Sequence, residues 1–217
     1  MDNEKETKQK LLDSALKEFS KRGFMKASLR TICRDAGVTT GALYFFFKDK
    51  KDLFANIVAG PLKKLERIIE EHFSDEIEFS EKVSRGEVKV SDISLQDDFE
   101  DDSLVARLII KCLFKDKKVF DLLLTGAQGS GFEDVPDRMV DKAEAHFTRM
   151  YMVMKGYESV DDLSEEDRFI IHWMSHNQVD MFIHMVIHCE GVRDAERQMK
   201  NMMSFMIGGW FSVINNK

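Results

Sequence analysis

Near the N-terminus, Ser28, Arg30, Thr39, Thr40, Gly41, Ala42, Tyr44, Lys48 and Lys50 crowd hydroxyls, ammoniums and one guanidinium into a single short stretch. Groups of this kind hold phosphate oxygens and touch base edges. A second arrangement lies far downstream, where His172, His176, Asp180, His184 and His188 recur at every fourth residue. Histidines at i and i+4 can chelate a transition metal. Each step of four turns the helix face about 40° past a full turn, so the ends of the row are roughly 160° apart and cannot form one site. Two separate pairs, or pairs completed across a dimer axis, stay open.

The elements that must position the first group are short. Leu11, Leu12, Ala15, Leu16 and Phe19 form an apolar stripe that predicts a helix over 5–22, ended by Gly23. Ser28 caps a short helix with Leu29, Ile32, Cys33 and Ala36 inward, stopped at Gly37. Thr39 then caps another through Ala42, Leu43, Tyr44 and Phe45. A short helix, a turn and a second helix that starts with small residues is the helix-turn-helix arrangement, whose second helix fits the major groove. From spacing alone two readings stand: this motif, or a helical corner of a larger bundle with solvated lysines. No Arg, Asn or Gln lies between Val38 and Phe47, so base reading would lean on thymine methyls and on DNA shape.

The remainder reads as helix. A pattern from Lys50 through Phe73 should bend or restart at Gly60-Pro61, and Ser74 to Ser103, with 11 acidic against 3 basic residues, reads as a solvated connection. Helical periodicity returns over 104–125, 136–157, 164–190 and 192–214. The Gly126–Gly131 loop lacks the Gly-Lys-Ser/Thr ending of a phosphate-binding loop, and Ser14 with Lys17 matches S-x-x-K without its companion motifs.

Charge divides the chain. The net charge of −7 is the balance of +4 over residues 1–60 and −11 over the rest, a basic head on an acidic body. Three separated cysteines, Cys33, Cys112 and Cys189, with no CxxC pair imply neither a disulfide framework nor a zinc knuckle and suit a reducing cytoplasm. No apolar run is long enough to span a membrane, so none is expected as a partner.

Residues 28–53 resemble the DNA-binding signature of TetR-family regulators, through Ile32, Ala36-Gly37-Val38, Gly41, Leu43-Tyr44, Phe47, Lys50 and Leu53. The resemblance covers about the first 60 residues. It implies an all-α protein of about nine helices, with a helix-turn-helix head over 1–48 and a ligand-binding and dimerisation body over 49–217. It further implies a homodimeric repressor that leaves a palindromic operator in double-stranded DNA when a small effector binds, with no cofactor and no enzymatic activity. By position, Thr39, Thr40 and Gly41 would lie against bases or nearby backbone, and Tyr44 and Lys50 against phosphates. Phe46 stands where the family often has His, which removes one phosphate hydrogen bond; Cys33 replaces a common Ala and reads as packing.

In the body, Phe147, Met150, Met154, Trp173, Met174, His176 and Met181 are the expected lining of a lipophilic pocket, because unbranched, polarisable side chains make adaptable walls. The last two predicted helices are apolar on almost every face and need two burial surfaces, so Phe182, Met185, Met202, Met206, Gly209 and Trp210 are expected at a dimer interface. The rival readings are a metal sensor or metal-dependent enzyme built on 164–190, and a partner-binding module without DNA function.

Overall fold

The computed structural model describes residues 2–87 and 95–215. Among them are nine α-helices and no strand: α1 (Asp2–Lys26), α2 (Leu29–Ala36), α3 (Thr40–Phe46), α4 (Lys50–Ser84), α5 (Leu95–Lys115), α6 (Lys117–Thr125), α7 (Val135–Lys155), α8 (Glu165–His188) and α9 (Val192–Asn215). A 3-10 turn, Val160–Asp162, precedes α8. The all-α expectation therefore holds.

Local chemistry accounts for several helix ends. Gly23 takes non-helical angles near the end of α1. Ser28 caps α2, Thr39 caps α3, and Gly37, at φ 70 and ψ 30, closes α2 in the left-handed region that a side chain disfavours. Ser164 and Asp167 form a reciprocal capping box at the start of α8.

Three boundaries differ from the sequence expectation. Pro61 sits inside α4 without ending it. The ring removes one N–H donor, while the buried positions Phe54, Val58, Leu62 and Leu65 keep a helical period straight across it. The acidic connection expected over 74–103 is helical up to Ser84 and again from Leu95, and its part at 88–94 lies outside the described residues. Ile77 and Ser80 explain the first extension, since both are buried and give the end of α4 an inward face. The single helix expected over 104–125 is two, because Asp116 leaves helical angles.

Two compact units result, Met1–Lys64 with Lys115–Pro136, and Leu65–Phe114 with Asp137–Lys217. In the first, Phe19, Phe24 and Phe54 meet ring to ring at 5.2 to 5.8 Å. The Phe24 N–H donates to the Gly126 carbonyl at 2.7 Å, which ties the end of α1 to the end of α6. The second unit holds two apolar clusters. One gathers Ala106, Ile110, Met181, Met185, Cys189, Ala195 and Met199; the other gathers Ala143, Phe147, Tyr151, Leu163, Ile171, Met174 and Trp210.

Candidate nucleic-acid interface

The helix-turn-helix is assembled by its buried side. Ile32, Cys33, Leu43 and Phe47 are all buried, which fixes the inward faces of α2 and α3. The Ser14 hydroxyl donates to the Ile32 carbonyl at 2.9 Å, so the serine of the S-x-x-K match is a buried brace between α1 and α2. Glu18, also buried, accepts the Ser28 N–H at 3.2 Å and lies 3.5 Å from Arg22.

What stays outside is most of the set that the sequence singled out. Ser28, Arg30, Thr39, Thr40, Gly41, Tyr44 and Lys48 are exposed, and Ala42 is half-buried. Thr40, Gly41, Tyr44 and Phe45 fall at i, i+1, i+4 and i+5, one face of α3. Two hydroxyls have local duties: Ser28 Oγ accepts the Thr31 N–H at 3.3 Å, and Thr39 Oγ1 accepts the Ala42 N–H at 3.2 Å. Thr40 shares a hydrogen bond with the Cys33 thiol, whose pKa is pushed up by burial and pulled back only in part by that bond. Cys33 is a packing residue in an environment that keeps the thiol protonated.

Lys50 departs from its neighbours. It is half-buried, with its Nζ 3.3 Å from the Met25 carbonyl and 4.8 Å from the centre of the Phe24 ring. Burial lowers its pKa, and the Glu18 charge opposes that shift. The start of α4 is also occupied by the chain's own carboxylates: Asp49 accepts the Asp52 N–H at 2.8 Å, and Asp52 accepts the Lys48 N–H at 2.9 Å.

Phe45 is the residue that the sequence reading passed over. It is 72% exposed beside Tyr44, itself 54% exposed. The available signal was the run of three phenylalanines, since a helix that buries Leu43 and Phe47 must turn one of them outward. Phe46, half-buried, stands between the other two rings at 5.0 and 6.3 Å.

In the second unit the expected pocket residues separate. Phe147, Met150, Met154 and Met174 come together in one cluster, Met181 belongs to the other, and Trp173 and His176 are exposed. An open groove of about 550 Å³ lies elsewhere, between α4 and α7, lined by residues that include Glu70, Phe73, Ile77, Glu81, His146 and Arg149. The buried His146 ring stacks on Phe73 at 3.9 Å, and its Nε2 lies 2.8 Å from a Glu76 carboxylate oxygen. Of the residues expected at a dimer interface, Met185 and Trp210 are buried within the chain's own clusters, Phe182 and Met202 pack against one, and Met206 and Gly209 are partly exposed. Among the described residues, no group of three or more His, Cys, Asp and Glu side chains could hold a metal ion. No helix among the described residues is long and apolar enough to cross a membrane.

Comparison with known proteins bears on the head most strongly. Residues 11–57 match the family model described as Bacterial regulatory proteins, tetR family. Over 52 residues, 24% of each chain, the sequence is 54% identical to the HTH-type transcriptional regulator AcrR of Shigella flexneri. Over 129 residues, 57% of this chain and 56% of the other, it is 29% identical to the probable acrEF/envCD operon repressor of Escherichia coli strain K12. The matched segments span about a quarter to a half of these relatives. Among solved structures, a transcriptional regulator (TerR/AcrR family) from Aquifex aeolicus VF5 superposes with a TM-score of 0.57 at 16% identity, over 92% of this chain and 99% of that one. The fatty acid degradation regulator FadR from Bacillus halodurans does so with a TM-score of 0.54 at 16% identity, over 94% and 95%. These two likenesses carry the fold, and the family match rests on the head: residues 11–57, which hold the helix-turn-helix, match the TetR family of bacterial regulatory proteins.

Proposed function

We propose that the protein is a one-component transcriptional repressor that holds a palindromic operator as a homodimer and leaves it when a small lipophilic effector fills the body. The observation that carries this reading is the outward face of α3, where Thr40, Gly41, Tyr44 and Phe45 stand together over a buried Leu43 and Phe47. Small residues permit close approach to the groove, the tyrosine hydroxyl suits a phosphate, and the exposed Phe45 ring suits thymine methyls. Ser28, Arg30, Thr39 and Lys48 flank that face as further contacts to backbone. The operon-repressor name of one relative supports repression as the mode.

Residues 1–48 read DNA, and 49–217 bind effector and dimerise. The continuous helix α4, from Lys50 to Ser84, joins the two functions along the chain. An effector bound in the body changes the separation of the two heads, and half-sites about one helical turn apart tolerate little change. The groove of about 550 Å³ lined by Phe73 and His146 is the candidate seat. A cytoplasmic setting follows from this reading. The rival metal-dependent enzyme finds no support in the matched relatives, which are named as regulators.

Salt tests the reading on any duplex. Affinity of the intact chain for random-sequence double-stranded DNA should fall steeply and linearly on a log–log scale as salt rises. Binding that is absent at low salt, or indifferent to salt, would contradict it.

A further inference from the structure

α8 turns two histidine pairs outward. The rings of His172 and His176 meet edge to face with centres 4.5 Å apart, whereas His184 and His188 lie nearly parallel, at 18° and 5.4 Å. All four side chains are exposed. Behind the first pair stands a carboxylate from another helix: Glu144 of α7 places Oε2 2.8 Å from His172 Nδ1.

That contact selects a tautomer. A neutral imidazole that donates its Nδ1 proton to a carboxylate keeps a lone pair on Nε2, and this arrangement orients a metal-binding histidine and raises its basicity. Ring spacing gives a second test. With metal–nitrogen bonds of about 2.0–2.1 Å, two imidazoles sharing one ion at a right to tetrahedral angle have centres roughly 4.5–5 Å apart. The observed 4.5 Å meets that requirement without movement of the helix. Near-parallel rings such as His184 and His188 turn faces, not nitrogens, toward each other and must rotate before they can share an ion.

We propose that His172 and His176, with Glu144 as the residue that positions His172, form a surface site for a divalent cation of the nickel, copper and zinc group. The chain supplies two nitrogen ligands and water completes the shell, so the site is open and exchanges its ion readily. This inference stands apart from the repressor reading and does not rest on it.

The test uses the intact chain without a histidine tag, titrated with Ni²⁺ and with Zn²⁺ by calorimetry. Quenching of tryptophan emission by Cu²⁺ serves as a second readout, since Trp173 is exposed and next in sequence to His172. One ion should bind per chain. His172→Gln and His176→Gln should each abolish that binding, and Glu144→Gln should weaken it roughly 10- to 100-fold with the melting temperature unchanged. Replacing both His184 and His188 by Gln should leave the affinity as it was. The proposal is overturned if the unaltered chain binds no ion, if Glu144→Gln binds as tightly as the unaltered chain, or if the His184 and His188 replacement is the one that removes binding.

Discussion

The Lys50 ammonium lies 4.8 Å from the centre of the Phe24 ring and 3.3 Å from the Met25 carbonyl oxygen, so it bridges the start of α4 and the end of α1. A partly desolvated cation over an aromatic face contributes about 0.5–2 kcal/mol. Lys50→Ala should therefore lower stability by that amount in urea denaturation, besides any effect on DNA. Lys48→Ala, at an exposed position, should change stability by less than about 0.5 kcal/mol while still weakening DNA binding. Equal stability losses in the two variants would remove the structural role given to Lys50.

Gly126 is a second point of close approach. A Cβ there would stand 2.8 Å from Leu122 Cδ1 and 3.4 Å from the Gly23 Cα, while the Gly126 carbonyl holds the Phe24 N–H. Gly126→Ala should cost about 1–3 kcal/mol, seen as a lower thermal midpoint by circular dichroism. An unchanged midpoint would show that this corner yields freely.

Tyr151 and Asp167 couple stability to pH. The buried phenol donates to Asp167 Oδ1, and its own pKa is driven upward by burial first and by Asp167 second. For Asp167 burial is the largest single influence and pushes upward, but the hydrogen bonds from Tyr151 and Ser164 and the Lys155 charge together outweigh it, and the carboxyl titrates below its usual range. A carboxylate depressed in the folded state adds stability that is present above its unfolded pKa of about 3.9 and lost as pH falls through the lower folded value. Tyr151→Phe should thus cost about 1.5–3 kcal/mol at pH 7, a gap in urea denaturation that narrows below about pH 4. A gap constant down to pH 3 would contradict the coupling.

On the proposed reading, the face of α3 makes two kinds of contact, a phosphate contact from Tyr44 and a base contact from Phe45. Tyr44→Phe should weaken binding to every duplex by a similar factor, because a phosphate contact carries no sequence information. Phe45→Ala should instead flatten the preference among sequences by about 1 kcal/mol or more at the positions it touches. If both variants lost affinity uniformly across a panel of duplexes, Phe45 would have no part in reading sequence.

The head was legible because its signals are local. Ser28, Gly37 and Thr39 each set a helix end through their own backbone and side-chain chemistry, and the structure places those ends within a residue of the sequence expectation. The body was less so. Pro61 looked like a break, yet the buried run Phe54, Val58, Leu62 and Leu65 carries the helix through. α8 and α9 are rich in Met and Phe on every face, so periodicity could not tell which residues the chain buries for itself. Met185 and Trp210 turn inward, and Phe169, Trp173 and Phe205 turn out. The Lys50 and Phe24 contact joins residues distant in sequence, and no spacing rule announces it. His146 beside Glu76 was invisible for the same reason.

Whether α3 reads a two-fold DNA site is decided by selecting bound fragments from random double-stranded DNA with the purified intact chain at fixed near-physiological salt. An inverted repeat with half-sites spaced by about one helical turn should be enriched, and it should be lost in Thr40→Ala combined with Tyr44→Phe. Sequences recovered without any shared motif, or a motif that survives that double replacement, would contradict it.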